Sequence, residues 1–324
     1  MSQGSGSEGT PPSTGAGHPD ATRRVRRSWG WVLTVATLVV GAAYLWAQRD
    51  ALQNVSLDNP WALATLVAVL AVNLVASNEM NLLMVNRAGA DMRRGESFWV
   101  TWIATLLNGV TPARAGAAFR AMYMKRKHGL TYAAFASTVL GYYVAVAFVA
   151  ASLTAVTLFV SEIEGSEAVQ LGSWLVLILV LVAVSLPRVR PGDGWLRGRL
   201  SDFTGRWRDQ LRRPGELARI AFLALVQVLS SIGALWSAAS AIGLDLTVGE
   251  AVTIGAAGTL ATLVAITPGS LGIYEGTVAI TGGLLGASAP LLVVAALVQR
   301  LVYVALLSVG ALSAYRYLGA GRRR

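Results

Sequence analysis

Four charged side chains lie in stretches that are otherwise apolar or small. Arg114 and Arg120 fall in LLNGVTPARAGAAFR, Glu275 falls in TPGSLGIYEG, and Arg300 stands in the last apolar run. Charge inside a bilayer is costly, and ionisable residues there mark pathways, relays or pairs. An arginine at depth offers charged donors that suit a phosphate. A helix that begins at depth offers free N–H groups and the positive end of its dipole to the same ligand. Thr111-Pro112 and Thr267-Pro268 read as two such starts, with Thr as N-cap and Pro at the first helical position. Asn108-Gly109 reads as the end of the helix before the first of them. The chemistry on offer is anion recognition, most simply of a phosphate headgroup.

The elements that would position these residues are membrane helices. The chain has 324 residues, 54% hydrophobic and 14% charged, against roughly 25% charged in a soluble domain. Mean hydropathy is +0.55. Net charge is +10, but the basic residues cluster beside apolar runs, which is a topology signal rather than a nucleic-acid footprint. Cysteine is absent, which excludes disulfides, thiolate metal sites and a Cys nucleophile. His18 and His128 lie in a polar tail and at a basic edge, so no histidine metal centre is expected. No cofactor is expected.

Six runs are long enough to span the ~30 Å hydrocarbon core: 29–47, 61–85, 132–160, 171–186, 217–242 and 290–314. The first also fits a signal peptide, with Gly41-Ala42-Ala43 as a cleavage site; Trp29, Trp31 and Trp46 at its flanks favour a span. Two shorter stretches, 98–110 and 251–266, each run into Thr-Pro. The loops set the sidedness. Arginines 23, 24, 26 and 27, Arg93 and Arg94, Lys125 to Lys127, eight arginines in 187–216 and the terminal Arg322 to Arg324 belong in the cytoplasm; the loop at 161–170 is acidic and belongs outside. Residues 98–110 rise only ~20 Å as a helix, too little to cross. Residues 98–123 then form a re-entrant hairpin from the cytoplasm and 251–286 a second from outside. Full tilted spans for the hairpin arms remain an alternative.

The hairpins align at an offset of 156 residues: Thr111-Pro112 with Thr267-Pro268, and Gly116 with Gly272. Span, span, hairpin, span therefore occurs twice, over about 29–160 and 171–316, with opposite sidedness. Inverted repeats with broken helices are a transporter signature, with the substrate site near the midplane. The expected fold is an all-α polytopic membrane protein of two inverted repeats, about six transmembrane helices and two re-entrant hairpins. It is flanked by a disordered basic cytoplasmic N-terminus (1–28) and a basic tail (317–324).

Depths along the helices suggest partners. Arg114 lies ~16 Å from the cytoplasmic edge and is either an anion ligand or a shallow loop residue. Arg120, ~8 Å deep, either snorkels or pairs with Glu79 at similar depth. Glu275 and Arg300 sit at matching depths from the outer side, which predicts a contact that is either a structural pair or part of a proton or substrate path. Asn73 and Asn78 read mainly as helix-packing groups. Leu196, Leu200, Phe203, Trp207 and Leu211 in the arginine-rich loop recur at helical spacing, as in a surface amphipathic helix, although a purely topological role fits the arginines equally.

The pattern P-x-R-x-G-x-x-x-R, carried by Pro112, Arg114, Gly116 and Arg120, resembles the lysylphosphatidylglycerol synthase transmembrane family, also called flippase-like. So does TPGSLGIYE followed by Arg300. The resemblance covers about 29–316 and implies lipid translocation between leaflets. Bifunctional members add a soluble synthase domain beyond this region, so synthase activity is not carried over. Ala117 and Tyr274 depart from the family pattern, where Glu and Arg often stand, which puts a shared headgroup specificity in doubt. The expected function is a flippase for an anionic phospholipid or lipid-linked headgroup in the plasma or inner membrane, with both termini cytoplasmic. Its substrate-binding residues would be Arg114, Arg120, Glu275 and Arg300. A proton-coupled solute or ion transporter is the alternative; a membrane transferase and a non-transporting scaffold rank below. No nucleophile, metal or nucleotide constellation stands out, so no enzyme is expected.

Overall fold

The computed structural model describes Trp46 and residues 56–57, 59–111, 115–161, 166–185, 214–264 and 267–320. Among these residues it contains nine α-helices and no strand. They are α1 (Pro60–Arg87), α2 (Arg94–Val110), α3 (Ala115–His128), α4 (Tyr132–Ser161), α5 (Glu167–Ser185), α6 (Pro214–Ala241), α7 (Val248–Leu263), α8 (Ile273–Leu284) and α9 (Ala289–Ala320). A short 3-10 turn, Pro268–Ser270, lies between α7 and α8. The expected first span, the N-terminal segment, Pro112, Arg114 and most of the arginine-rich loop lie outside the described residues.

Local chemistry sets the helix starts. Asn59 caps α1, accepting from the Ala62 N–H at 3.1 Å, and Pro60 occupies the first helical position. Thr247 and Glu250 form a reciprocal capping box at α7. Five helices, α1, α4, α5, α6 and the Ala289–Gly310 part of α9, are long and apolar enough to cross a membrane. With the apolar composition, they make this a multi-pass membrane protein. Large apolar side chains such as Phe159 (77% exposed) and Leu301 (70%) point outward, as lipid-facing positions do. Helix α9 continues to Ala320.

The order long helix, two short helices, long helix occurs twice, as α1–α4 and α6–α9. Helices α1 and α6 pack along their length and run antiparallel. Arg87 at the end of α1 pairs with Glu216 at the start of α6 at 2.5 Å. Asn73 halfway along α1 donates to the Gln227 carbonyl at 2.9 Å and to the Ser230 and Ser231 hydroxyls at 3.1 and 2.9 Å. Small residues allow the close approach: Ala224, Ala234, Ala238 and Ala239 on α6, Ala150 on α4, Ala256 on α7, and Ala295 and Ala296 on α9 are all buried.

Each short pair is an antiparallel hairpin. In the first, Tyr123 near the end of α3 donates to Glu96 near the start of α2 at 2.6 Å, while the α3 start packs on the α2 end. A Cβ on Gly116 would lie 1.8 Å from the Ala104 carbonyl oxygen, so only glycine permits this approach. In the second, Gly258 of α7 faces Tyr274 and Val278 of α8. Because the hairpins follow opposite ends of the antiparallel α1–α6 pair, they approach from opposite ends of the bundle. Arms of 17 and 16 residues reach ~25 Å, a little over half the ~42 Å length of a 28-residue helix. Their tips meet: a Cβ on Gly269 would lie 3.3 Å from the Gly109 Cα.

Candidate functional site

The two tips differ in how they are held. At the first, Thr111 closes α2; its expected role as N-cap with Pro112 falls on residues outside those described. Its N–H and its hydroxyl both donate to the Leu107 carbonyl, at 2.9 and 2.5 Å. An acceptor at the described start of α3 comes from α2, where Asn108 Oδ1 takes the Ala117 N–H at 3.2 Å.

At the second tip, Gly269 and Ser270 both have φ of 56° and Gly272 has φ of 80°, left-handed values that glycine adopts without strain. Thr267 donates to the Leu271 carbonyl at 2.7 Å, binding the turn together instead of capping α8. Glu275 sits in the first turn of α8, where its Oε2 accepts from the Gly272 N–H at 2.7 Å. Its Oε1 takes the Arg300 Nε at 2.7 Å and Nη2 at 2.6 Å, and Arg300 Nη1 donates to the Gly269 carbonyl at 3.0 Å. The contact predicted from matching depths is present. The anion at this helix start is the chain's own carboxylate, and Arg300 ties the tip to α9.

Between the tips and the long helices lies a cavity of about 520 Å³. It is lined by apolar side chains such as Leu70, Phe135 and Val146, by polar side chains of α1, α2, α4, α6 and α9, by both tips, and by Arg120 and Arg300; among the described residues no Asp or Glu lines it. Arg120 Nη2 donates to Asn81 Oδ1 at 3.0 Å, and the guanidinium lies 5.7 Å from the Phe135 ring centroid. Its Nε is buried and has no hydrogen-bond partner. The two arginines therefore differ in kind. Arg300 is neutralised by Glu275, whereas Arg120 has no carboxylate partner among the described residues.

The expected Glu79–Arg120 pair does not form. Glu79 lies 3.6 Å from Arg94 and 3.9 Å from Arg219, while Arg120 reaches Asn81. Residues 79 and 81 are separated by roughly 200° around a helix, so Glu79 faces the α2 and α6 starts while Asn81 faces the cavity. Asn78 packs as expected, accepting from Ser97 at 2.9 Å, while Asn73 both fastens α6 and lines the cavity.

Several lining residues do not stand out in the sequence. Asn73, Ser77 and Asn81 recur every four residues along α1, which puts them on one face; that stripe is the available signal. Asn81 donates to the Ser77 carbonyl at 2.8 Å, Ser77 and Tyr142 share a hydrogen bond at 3.2 Å, and Gln227 donates to Tyr142 through Nε2. The Gln227 Oε1 is buried without a partner. Across the cavity Tyr274 donates to Gln299 at 2.7 Å. Tyr142, Gln227 and Gln299 carry no sequence periodicity that sets them apart.

At the mouth of the first hairpin, Glu96 gathers three partners: Tyr123 at 2.6 Å, Lys127 at 2.9 Å and His128 at 2.9 Å. Burial alone would raise its carboxyl, but the hydrogen bonds from Tyr123, Lys127 and His128 outweigh that and hold it down to about 2. Burial and the bond to Glu96 push the Tyr123 phenol up, and the bond to Glu96 raises Lys127.

A family model described as the lysylphosphatidylglycerol synthase TM region matches residues 28–310. No curated protein and no solved structure matches the chain.

Proposed function

The chain belongs to the lysylphosphatidylglycerol synthase transmembrane family, and from that premise we propose that it is a flippase. It moves an anionic phospholipid or lipid-linked headgroup between leaflets of the plasma or inner membrane, without catalysing a covalent step. One observation carries this reading: a cavity between two hairpin tips holds Arg120, a cation with no carboxylate partner among the described residues. A cation withdrawn from water is costly unless an anion meets it, and a phosphate headgroup supplies that anion.

The two four-helix series act as inverted repeats, with α2–α3 re-entering from the cytoplasm and α7–α8 from outside. The headgroup sits at the junction while its acyl chains stay in lipid. Separation of one tip and then the other from the cavity exposes it to each leaflet in turn. Arg120 binds the anion, and Arg114, six residues before it in the sequence, is a second candidate ligand. Glu275 and Arg300 position the second tip, and their engagement with Gly272 and Gly269 supports that role over proton carriage.

The test is reconstitution into liposomes with a fluorescent anionic phospholipid or polyprenyl phosphate, following quenching of the outer leaflet. Protein-dependent movement of label supports the proposal. Folded protein that moves no anionic lipid, yet takes up a soluble solute in a manner lost with Glu275→Gln, supports the proton-coupled transporter instead.

A further inference from the structure

The two hairpins are joined to α9 in different ways. The second is clamped by charge, because Arg300 bonds both the Glu275 carboxylate and the Gly269 carbonyl. The first meets α9 through Trp102 of α2, whose indole N–H donates to the Leu307 carbonyl at 2.7 Å. A Cβ on Gly310, three residues further along α9, would overlap the same indole ring. The ring therefore lies in a notch that glycine leaves open. Positions 300 and 307 are two turns apart, which puts both attachments on nearly one face of α9.

The attachments also differ in what their release strands. Parting Arg300 from Glu275 leaves two largely buried charges without partners. The Leu307 carbonyl lies within α9, which runs on to Ala320, so it also serves that helix's own ladder of hydrogen bonds. Releasing the indole therefore orphans no carbonyl, and the one N–H set free is neutral and costs less to leave unpaired than a charge. The arms of the first hairpin hold each other at both ends. Glu96 bonds Tyr123, Lys127 and His128 at the mouth, and Asn108 takes the Ala117 N–H at the tip. That hairpin can leave α9 as a unit.

The indole borders the cavity wall. Thr101 and Thr105, on either side of it along α2, and Val304 and Leu307 on α9 all line the cavity. Trp102 lies between the α2 start at Arg94 and the tip at Gly109, on the side from which the first hairpin enters. We infer that Trp102 is the latch of a seam between α2 and α9. Its release lets the first hairpin swing from α9 and opens the cavity to that side, while Arg300 keeps the second tip in place. This rests on the reading of the cavity as a site reached from one face at a time, but access and lipid transfer are measured separately.

The chain has no cysteine, so a single introduced thiol reports access. Ser231→Cys places it on α6, in the cavity wall and off both hairpins. The measurement is its rate of reaction with an impermeant anionic methanethiosulfonate reagent, in the full chain, in membrane vesicles of each orientation. The labelling of Arg126→Cys defines the face from which the first hairpin enters. Trp102→Phe keeps a ring and removes the donor; Gly310→Ala keeps the donor, fills the notch and favours the helix. Each should raise the rate at least about fivefold from the Arg126 face and leave it unchanged from the other. An unchanged rate in either variant, with a thermal midpoint showing intact protein, overturns the inference. So does equal acceleration from both faces, which marks general loosening, or acceleration from the opposite face alone. Acceleration from the Arg126 face in protein that transfers no lipid upholds the latch and sinks the flippase reading.

Discussion

Gly116 and Gly272 hold equivalent places in the two hairpins for unrelated reasons. A Cβ at 116 would collide with the Ala104 carbonyl at 1.8 Å, whereas Gly272 has φ of 80°. Gly116→Ala should therefore cost at least about 1–3 kcal/mol through overpacking, read as a lowered thermal midpoint with α2 and α3 splayed. The Glu275–Arg300 pair is buried, with side chains 8% and 22% exposed. Removing one member should cost about 3–5 kcal/mol, and removing both should cost less than the two losses combined; a double-mutant cycle on Glu275→Gln and Arg300→Gln measures this. Additive losses would mean that the two act independently. This pair was legible in the sequence because depth follows from counting residues along a helix. The Glu79–Arg120 pairing failed because depth says nothing about azimuth: the side chain two positions along, Asn81, faces the cavity that Glu79 turns away from.

At the level of elements, the hairpins were legible from short apolar stretches ending in Thr-Pro, but their internal bonding was not. Equivalent acids three residues into α2 and α7 do different work. Glu250 caps its own helix, while Glu96 clasps the far end of the partner arm through Tyr123, Lys127 and His128. Which of these happens depends on what the neighbouring arm presents, which only the packed structure supplies. The Glu96 carboxyl is lowered from 4.5 to about 2, so its protonated form is disfavoured in the folded state. The stability it contributes is complete above about pH 4.5 and fades as pH falls toward 2. The thermal midpoint of the wild type should exceed that of Glu96→Gln by a constant margin above pH 4.5, and the margin should shrink below it. A margin independent of pH down to about 2 would show that the clasp does not depend on the ionised carboxylate.

Over the whole molecule, the antiparallel α1–α6 pair sends the hairpins in from opposite ends, and their tips close a shared cavity. Five spans were legible because long apolar runs require little else, and their bounds agree with the helices to within a few residues, apart from the extended end of α9. The polar stripe Asn73, Ser77, Asn81 was harder to read, since amides and hydroxyls in membrane helices fasten neighbours as often as they line paths. The proposed sidedness makes its own prediction, helped by a chain with no cysteine. A single cysteine at Arg126 should react with an impermeant maleimide only from the cytoplasmic face, and one at Asp245 only from the opposite face; labelling of both from one side would refute inverted insertion. The central claim is that Arg120 carries an anionic headgroup through the cavity. The most direct measurement is the rate of leaflet transfer of a fluorescent phosphodiester lipid in proteoliposomes containing wild type, Arg120→Lys or Arg120→Gln. Transfer should be protein-dependent in the wild type, reduced in Arg120→Lys, and lowered at least about tenfold in Arg120→Gln, equivalent to about 1.4 kcal/mol of barrier. Folded Arg120→Gln protein transferring lipid at the wild-type rate would contradict the account.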